Sequence, residues 1–307
     1  MKSFLLKISF YGLGCILLLG ILGAFADGNT DDNYMHFAVD KPVNIILGDS
    51  RGSQALQPGI LEDKLQEKFD NFSLNVVQSP YGPVYLNALK RKLNPDTKDG
   101  LFIITVDPWN LSADKNFNGR HEDFPEKENS PLGNMYFYNM SPNYEYLIKH
   151  YSRSWFKIFT EREQKGRSNT YLHKDGWLEV NVNMDKDSVR KRELSKIVFY
   201  RDQMAGTQKL STFRIKALED IIRFLKDKGT VYLVRIPASE KIMAVENSYS
   251  PGFSEKIRSI SKQYNVHFFD FSSKAKDYRY TDGNHMYKTS GKIFTGQIAD
   301  SILSKNH

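Results

Sequence analysis

The chain has 307 residues, and its 43 Lys and Arg against 36 Asp and Glu give a net charge of +7. This length allows a sizeable core, as one large α/β domain with an insertion or as two small domains. Because the basic residues are spread along the chain and no nucleic-acid-binding motif accompanies them, the charge indicates a basic solvated surface and excludes a nucleic-acid partner.

The first 26 residues predict a membrane anchor or an export signal. Lys2 and Lys7 precede an uncharged, mostly apolar run over 8–26, which is about long enough to span a bilayer. Basic residues before this run and acidic residues after it place the remaining chain outside the cytoplasm, facing the periplasm or the cell exterior. Ala24-Phe25-Ala26 is a small-x-small pattern for signal peptidase, so secretion after cleavage near Ala26 competes with the anchor. The anchor is favoured because the run is longer than a usual signal-peptide core.

The only cysteine, Cys15, lies inside this apolar segment. The exported part therefore has no disulfide, and its core alone must stabilise it. Gly12-Leu13-Gly14-Cys15 lacks the leucine of a lipoprotein box, so lipidation is not expected. Residues 27–41 are interpreted as a polar linker to a domain over 42–307.

Strand-like and helix-like periods then alternate along the chain. The runs that predict strands are 43–47, 73–77, 101–106, 230–237 and 266–271. The runs that predict helices are 61–69, 84–93, 211–229, 253–264 and 291–305, and the third of these has one apolar face and is expected to stop at Gly229. Such alternation predicts a parallel sheet with helices on both faces, a three-layer α/β/α domain with its functional loops at the carboxyl ends of the strands.

Residues 107–205 interrupt this alternation. The segment is rich in aromatic residues, Asn and charge, with an amphipathic stretch over 144–159 and a Gly-containing stretch over 166–182. Because a segment this long is rarely an unstructured loop, it is predicted to be an insertion that caps the strand ends and shapes a groove.

Ser50 is the first candidate for chemistry. It stands in Gly48-Asp49-Ser50, where the first predicted strand passes into a polar, helix-tolerant segment. A serine there can be a nucleophile exposed at the sheet edge, with nearby backbone N–H groups available for an oxyanion. Alone, it is better explained as the cap of the following helix.

The second candidate is the stretch Thr281 to Met286, before the last predicted helix. In a parallel sheet this loop shares an edge with the first one, so His285 can approach Ser50, and Asp282 can bond the other ring nitrogen of His285. An isolated Asp-x-x-His is a weak pattern and is also typical of a surface loop. Together, the two stretches predict a serine hydrolase.

These blocks resemble those of the SGNH (GDSL-type) hydrolases, in particular the membrane-attached, exported branch associated with O-acylation of cell-surface polymers. The resemblance covers 43–106 and 207–304 and implies a flavodoxin-like fold. It implies Ser50 as nucleophile and oxyanion donor through its N–H, and Gly82 as a second donor. It also implies His285 as base and Asp282 as the residue that orients it.

The third block departs from the family pattern. Where the family has Gly-x-Asn-Asp, this sequence has Asp107-Pro108-Trp109-Asn110, so the glycine is absent and the asparagine is displaced by one. Whether Asn110 supplies a third oxyanion contact is left open at this stage, and losing one such donor costs on the order of 10²-fold in rate. Asp-Pro at this strand end resembles the polysaccharide-acylation relatives more than the free esterases.

Other residues are candidates for binding roles. Arg51 is a candidate for contact with an anionic substrate or the oxyanion, with a surface arginine as the alternative. Trp109 is a candidate for stacking on sugar rings, as are three further aromatic residues, Tyr81, Trp155 and Trp177. His121, His150 and His173 lack metal-ligand spacing, and no Gly-rich phosphate loop follows a strand, so neither a metal nor a cofactor is expected.

The sequence thus predicts an exported, serine-dependent hydrolase or O-acyltransferase. Its expected partner is an acylated carbohydrate, in particular an acetylated cell-surface glycan, or another acyl ester. The alternative is a noncatalytic accessory protein that binds glycan or a multi-span membrane acyltransferase.

Overall fold

The computed structural model describes residues 1–119, 124–164 and 167–305, which contain nine strands. In chain order, these are β1 Asn44–Leu47, β2 Phe69–Asn71, β3 Gly100–Thr105, β4 Ser112–Asp114, β5 Thr170–Leu172, β6 Leu178–Val180, β7 Gln208–Leu210, β8 Gly229–Arg235 and β9 His267–Asp270. Five strands form one sheet in the order β2-β1-β3-β8-β9, and all neighbours are parallel. This is the flavodoxin-like order, and it confirms the predicted parallel sheet.

Helices connect these strands and cover the sheet. Those of the described residues are α1 Lys2–Gly23, α2 Ser50–Ala55, α3 Pro58–Leu65, α4 Pro83–Lys92, α5 Glu126–Asn129, α6 Pro131–Asn134, α7 Tyr144–Lys149, α8 Trp155–Glu161, α9 Lys186–Val198, α10 Ala205–Thr207, α11 Thr212–Lys226, α12 Glu240–Tyr249, α13 Phe253–Tyr264 and α14 Lys288–Leu303. A π-helical stretch, Phe199–Met204, joins α9 to α10, and short 3₁₀ turns lie at Tyr34–Phe37 and Ser272–Asp277.

The sheet has an apolar layer on each face because successive strand residues point to opposite sides. Ile45 packs with the buried side chains of α4, α11 and α13, whereas Ile46 packs with those of α3 and α14. Both residues are fully buried. This arrangement confirms the three-layer α/β/α architecture.

The second strand lies earlier than the sequence predicts. Gln66, with a φ of 58°, ends α3, so Phe69 begins β2 and does not continue the helix expected over 61–69. The expected strand over 73–77 is absent because the Asn75 side chain accepts hydrogen bonds from the N–H groups of Val77 (3.1 Å) and Gln78 (3.0 Å). This side chain forms a turn that competes with the extended conformation.

Gly229 does not end the preceding helix, as expected, but opens β8. The helix α11 ends at Lys226, and a Cβ at position 229 would lie 2.0 Å from the carbonyl oxygen of Gly100 on β3. The glycine is therefore required by the close approach of two backbones.

The expectation of a polar linker over 27–41 is wrong. Tyr34 and Phe37 in this segment are fully buried and pack edge-on or stacked against Tyr146. The Asn143 side chain donates a hydrogen bond to the Phe37 carbonyl (2.8 Å). Aromatic burial outweighs the polar composition of the segment, which belongs to the domain.

The buried His36 of this segment predicts an acid-sensitive stability. Burial and the nearby charge of Lys92 lower the pKa of His36 from 6.5 to about 3. In the unfolded chain His36 is protonated as the pH falls through 6.5, whereas in the folded chain it stays neutral until about pH 3. Protonation therefore favours the unfolded chain, and the free energy of unfolding falls as the pH drops below 6.5. Urea unfolding at pH 6.5 and at pH 4 measures how much free energy of unfolding is lost between these two pH values. This loss should be about 3 kcal/mol smaller for His36→Phe than for the wild type. Equal losses would contradict this assignment.

The predicted insertion folds between β3 and α11. Its ends meet where β4 pairs with β7 in an antiparallel ladder. One part, α9, lies beside the loop before α14, where the Arg192 Nε donates a hydrogen bond to the Thr281 carbonyl (2.7 Å). Another part, α7 and α8, lies against α1.

Candidate active site

The Gly48-Asp49-Ser50 turn presents the Ser50 side chain at the carboxyl end of β1. Asp49, and not Ser50, caps α2, because its Oδ1 accepts the N–H of Arg51 (2.9 Å). Gly48 packs so closely on β3 that a Cβ would lie 1.9 Å from the Thr105 Oγ1. The cap interpretation of Ser50 is therefore wrong, and its hydroxyl has another partner.

That partner is His285, from the loop before α14. The His285 Nε2 lies 2.8 Å from the Ser50 Oγ, and its Nδ1 lies 2.9 Å from the Asp282 Oδ2. The other oxygen of Asp282 accepts the backbone N–H groups of Asn284 (3.0 Å) and His285 (2.9 Å), which fixes the carboxylate in the loop. The two predicted stretches thus meet in a continuous hydrogen-bonded chain.

The Asp282 carboxyl is held in its charged form. Burial would raise its pKa, but the charge of His285 and the hydrogen bonds from it outweigh this effect and lower the pKa below its usual range, with Lys196 contributing. An ionised Asp282 accepts the Nδ1–H of His285, which leaves the Nε2 lone pair facing Ser50. This is the tautomer that a general base requires.

A buried polar network, not predicted from the sequence, supports the loop. The Asn284 Oδ1 accepts hydrogen bonds from the Arg51 Nε (2.9 Å) and Nη2 (2.6 Å), and its Nδ2 lies 3.1 Å from the His285 Nε2. Arg51 is also ion-paired with Glu246 on α12. Since Arg51 is 2% exposed, its expected role in binding substrate is wrong.

The expected role of Trp109 in binding sugar is also wrong. Its ring is 1% exposed and stacks between Tyr200 and Tyr249, at centroid distances of 4.7 and 4.5 Å. Its Nε1–H donates to the Glu246 Oε1 (3.0 Å). No face of the indole is open to a pyranose.

The three other aromatic candidates also pack within the protein. Tyr81 is fully buried, and its hydroxyl donates to the Thr105 carbonyl (2.6 Å). Trp177 stacks on His173 at a centroid distance of 4.5 Å, and its Nε1–H donates to the Gln54 carbonyl (3.1 Å). The third, Trp155, packs against the core.

Asn110 is turned into its own loop. Its Nδ2 donates to the Thr105 carbonyl (3.3 Å) and to the Asp107 Oδ2 (3.4 Å), and its Oδ1 accepts the Asp107 N–H (3.3 Å). The residue is fully buried. In this structure the Asn110 amide is used within its own loop, and its contribution to an oxyanion hole, left open by the sequence, stays a prediction.

Gly82 precedes α4 and is tightly enclosed. A Cβ there would lie 2.6 Å from the Arg214 Nη1 and 2.8 Å from the Glu126 Oε1, two side chains that form a buried ion pair. A methyl group here would push against this ion pair. The backbone N–H groups of Ser50 and Gly82 stay predictions as oxyanion donors.

A pair of buried carboxyl groups lies at the ends of β1 and β3. Burial and the charge of Asp107 raise the pKa of Asp49 well above its usual range, and the two side chains are hydrogen-bonded. The Asp107 Oδ1 in turn accepts the N–H groups of Trp109 (2.7 Å) and Asn110 (3.0 Å). These contacts order both turns, and the sequence signal for the pair was an Asp two residues after the end of each of two neighbouring strands.

A cleft opens on the outer side of Asp282. It has a volume of about 480 Å³ and is lined by Lys191, Arg192, Ser195, Lys196, Phe199 and Asp282. The Lys196 Nζ lies 3.8 Å from the Asp282 Oδ2. The side of the triad next to α9 is therefore basic.

Among the described residues, no group of three or more His, Cys, Asp or Glu side chains could hold a metal ion. The His150 Nε2 lies 2.6 Å from the Asn134 Oδ1, and the His173 Nε2 lies 2.9 Å from the Glu179 Oε2. His121, the third histidine considered from the sequence, lies outside the described residues.

No protein-family model and no curated protein matches the chain. Among solved structures, a lipase/acylhydrolase from Enterococcus faecalis is similar with a TM-score of 0.39 and 9% identity, over 85% of this chain and 96% of that one. Est24, a carbohydrate acetylesterase from Sinorhizobium meliloti, has a TM-score of 0.37 and 13% identity, over 85% and 99%. A putative GDSL-like lipase from Parabacteroides merdae has a TM-score of 0.35 and 12% identity, over 87% and 99%. Since these TM-scores are below 0.5, any functional conclusion depends on the side chains at the site.

Proposed function

We propose that this protein is a serine-dependent acyl-ester enzyme of the SGNH (GDSL-type) kind. The observation that carries the proposal is the chain of contacts from Ser50 through His285 to Asp282, with distances of 2.8 and 2.9 Å. These lengths suit a nucleophile, its general base and the group that orients the base. The residues come from the loops after β1 and before α14, at the edge of the sheet where such sites lie.

The chemistry follows from this order of groups. The Ser50 Oγ attacks the acyl carbonyl carbon while the His285 Nε2 takes the hydroxyl proton, and Asp282 stabilises the resulting imidazolium. The backbone N–H groups of Ser50 and Gly82 are the proposed donors to the tetrahedral oxyanion. His285 then gives its proton to the departing alcohol. Water or a sugar hydroxyl next loses a proton to His285 and attacks the acyl-Ser50 carbonyl. The bond from the acyl carbon to the Ser50 Oγ then breaks, Ser50 takes the proton back from His285, and the free acid or a new sugar ester is released.

An acylated carbohydrate, in particular an acetylated cell-surface glycan, is the proposed acyl donor. The cleft beside Asp282, with Lys191, Arg192 and Lys196 in its wall, favours a donor that carries negative charge. The N-terminal helix α1 is long and apolar enough to cross a membrane. We place the enzyme on the outer side of that membrane, facing the periplasm or the cell exterior.

A fluorophosphonate probe tests the assignment of the nucleophile. The wild-type protein is expected to be labelled covalently, because the probe phosphorus reacts with a serine that a neighbouring base activates. Ser50→Ala should abolish the labelling. The matched control is Ser259→Ala, which removes an exposed hydroxyl from α13 and should leave the labelling unchanged.

The orientation of Asn110 favours one rival, a noncatalytic accessory protein that binds glycan or a multi-span membrane acyltransferase. An SGNH-type site without its third oxyanion donor suits a vestigial triad. The same probe separates the two functions. If folded wild-type protein, with a cooperative unfolding transition, shows no Ser50-dependent labelling, the enzyme proposal fails and the rival stands.

A further inference from the structure

The carboxyl-terminal end of α1 is built into the folded domain. The Tyr144 hydroxyl donates a hydrogen bond to the Gly20 carbonyl (2.6 Å), inside the apolar helix itself. A Cβ at Gly23 would lie 2.6 Å from the Tyr144 ring and 3.1 Å from Leu147, so the backbone of α1 touches α7 directly. The helix is therefore not a free extension of the chain.

The residues just after α1 continue this contact. Phe25 meets Phe159 of α8 edge-to-face at 5.0 Å, and the Arg162 guanidinium lies over both rings. The Asp27 Oδ2 accepts the Glu163 N–H (2.8 Å), and the Gly28 carbonyl accepts the Leu172 N–H (2.9 Å). Cleavage near Ala26 would remove Gly20 and Gly23 from Tyr144 and Phe25 from Phe159.

Large apolar side chains are exposed on and beside α7 and α8, the helices that hold α1. Ile148 is one turn after Tyr144 on α7 and is 74% exposed, and Phe156 is 62% exposed, with its ring 6.4 Å from that of Phe159. Tyr136 and Phe137 are also exposed, and their backbone N–H groups are bound by Glu145 of α7. We call these four residues, Tyr136, Phe137, Ile148 and Phe156, the collar.

We propose that α1 is retained as a membrane-spanning anchor and that the collar lies on the lipid surface around it, in the interfacial layer of the leaflet on the domain's side. Gly20 lies three residues before the end of α1, about 4.5 Å along the helix axis at 1.5 Å per residue. Tyr144, which is hydrogen-bonded to Gly20, therefore lies at the level of the carboxyl-terminal end of the membrane-spanning helix. Ile148 and Phe156 on α7 and α8, and Tyr136 and Phe137, whose N–H groups are bound by Glu145 of α7, are thus placed where lipid covers α1.

The chemistry of the collar fits a lipid interface. Three of its residues are aromatic, and one of these, Tyr136, is of a type enriched at the boundary between the hydrocarbon and the headgroups. The Lys149 ammonium lies 5.1 Å from the centroid of the Tyr136 ring. A basic group beside an apolar ring can reach the phosphates while the ring stays below them. Large exposed apolar side chains on and beside the helices that hold an apolar span are explained by one occupant, the bilayer.

An environment-sensitive fluorophore tests the position of the collar. In a Cys15→Ala background of the full chain, the fluorophore NBD is attached at Ile148→Cys or at Phe156→Cys, and the protein is placed in phosphatidylcholine nanodiscs with and without doxyl-labelled lipid. We expect a blue-shifted emission that doxyl lipid quenches strongly at both sites. Cys15, Ile148 and Phe156 are all exposed, so these substitutions should not affect folding.

The matched control is Ile293→Cys, at a residue that is 58% exposed on α14, a helix that packs on α2 and α3. Its label should emit as in water and resist quenching. If the labels at 148 and 156 behave like the one at 293, the proposal is overturned. The intact mass of the protein from the membrane fraction should include residues 1–26, and a mature chain that begins at Asp27 would also overturn it. Neither result depends on the acyl-ester chemistry.

Discussion

Asp282→Asn is expected to lower kcat for a small acetate ester by about 10⁴-fold while the fold persists. The amide oxygen of the new side chain can still accept the backbone N–H groups that Asp282 binds in the loop, at 2.9 and 3.0 Å. The amide nitrogen then faces the His285 Nδ1 and donates to it. His285 must carry its proton on Nε2, the nitrogen that faces Ser50, and it can no longer act as the base.

Steady-state kinetics of both proteins with an aryl acetate would measure this loss, with thermal unfolding as a check on the fold. The matched control is Asp277→Asn, an exposed carboxylate in the segment just before the same loop, which should leave kcat unchanged. A variant of Asp282 that keeps activity within about tenfold of the wild type would show that the carboxylate does not orient the base.

The contacts among Ser50, His285 and Asp282 could be predicted because one rule of sheet topology and one local spacing suffice. Ser50 follows the first strand, Asp282 and His285 precede the last helix, and in a parallel sheet both loops lie on one edge. The spacing of three residues between Asp282 and His285 then allows the contact of 2.9 Å. These are local or topological facts that the sequence pattern carries.

The directions of Arg51, Trp109 and Asn110 could not be predicted in the same way. Arg51 and Trp109 both turn inward to Glu246, which lies more than 130 positions away on a helix that was not predicted. Asn110 turns inward because Thr105 at the end of β3 and Asp107 in the turn after it accept hydrogen bonds from its amide. The sequence pattern around a candidate nucleophile does not indicate whether a neighbouring polar side chain faces the substrate or a buried counter-charge.

Fold prediction failed for a similar reason over 27–41. Asp and Asn in this segment resemble a linker, yet the Asp31 Oδ1 accepts the N–H groups of Asn33 (2.9 Å) and Tyr34 (2.8 Å) and so forms a turn. This turn directs Tyr34 into the core, where it is fully buried. Polar residues that order a turn and polar residues that solvate a linker are the same residue types.

Glu246→Gln is expected to lower the free energy of unfolding by about 3 kcal/mol or more. Glu246 is fully buried and forms ion pairs with two arginines, Arg51 and Arg235, which are 2% and 4% exposed. Its Oε1 also accepts the Trp109 Nε1–H (3.0 Å). The amide preserves the shape but removes the only charge that both guanidinium groups share, and a buried cation that loses its partner carries its desolvation cost uncompensated.

Urea unfolding monitored by tryptophan fluorescence would measure this loss. The matched control is Glu240→Gln on the same helix, α12, where the carboxylate pairs with Lys276 at 3.2 Å and both side chains are mostly exposed. That variant should change stability by no more than about 1 kcal/mol, because solvent screens the pair. If the two substitutions cost the same, Glu246 is not the counter-charge of Arg51. The chain from α12 through Arg51 to Asn284 would then not be what holds the His285 loop against Ser50.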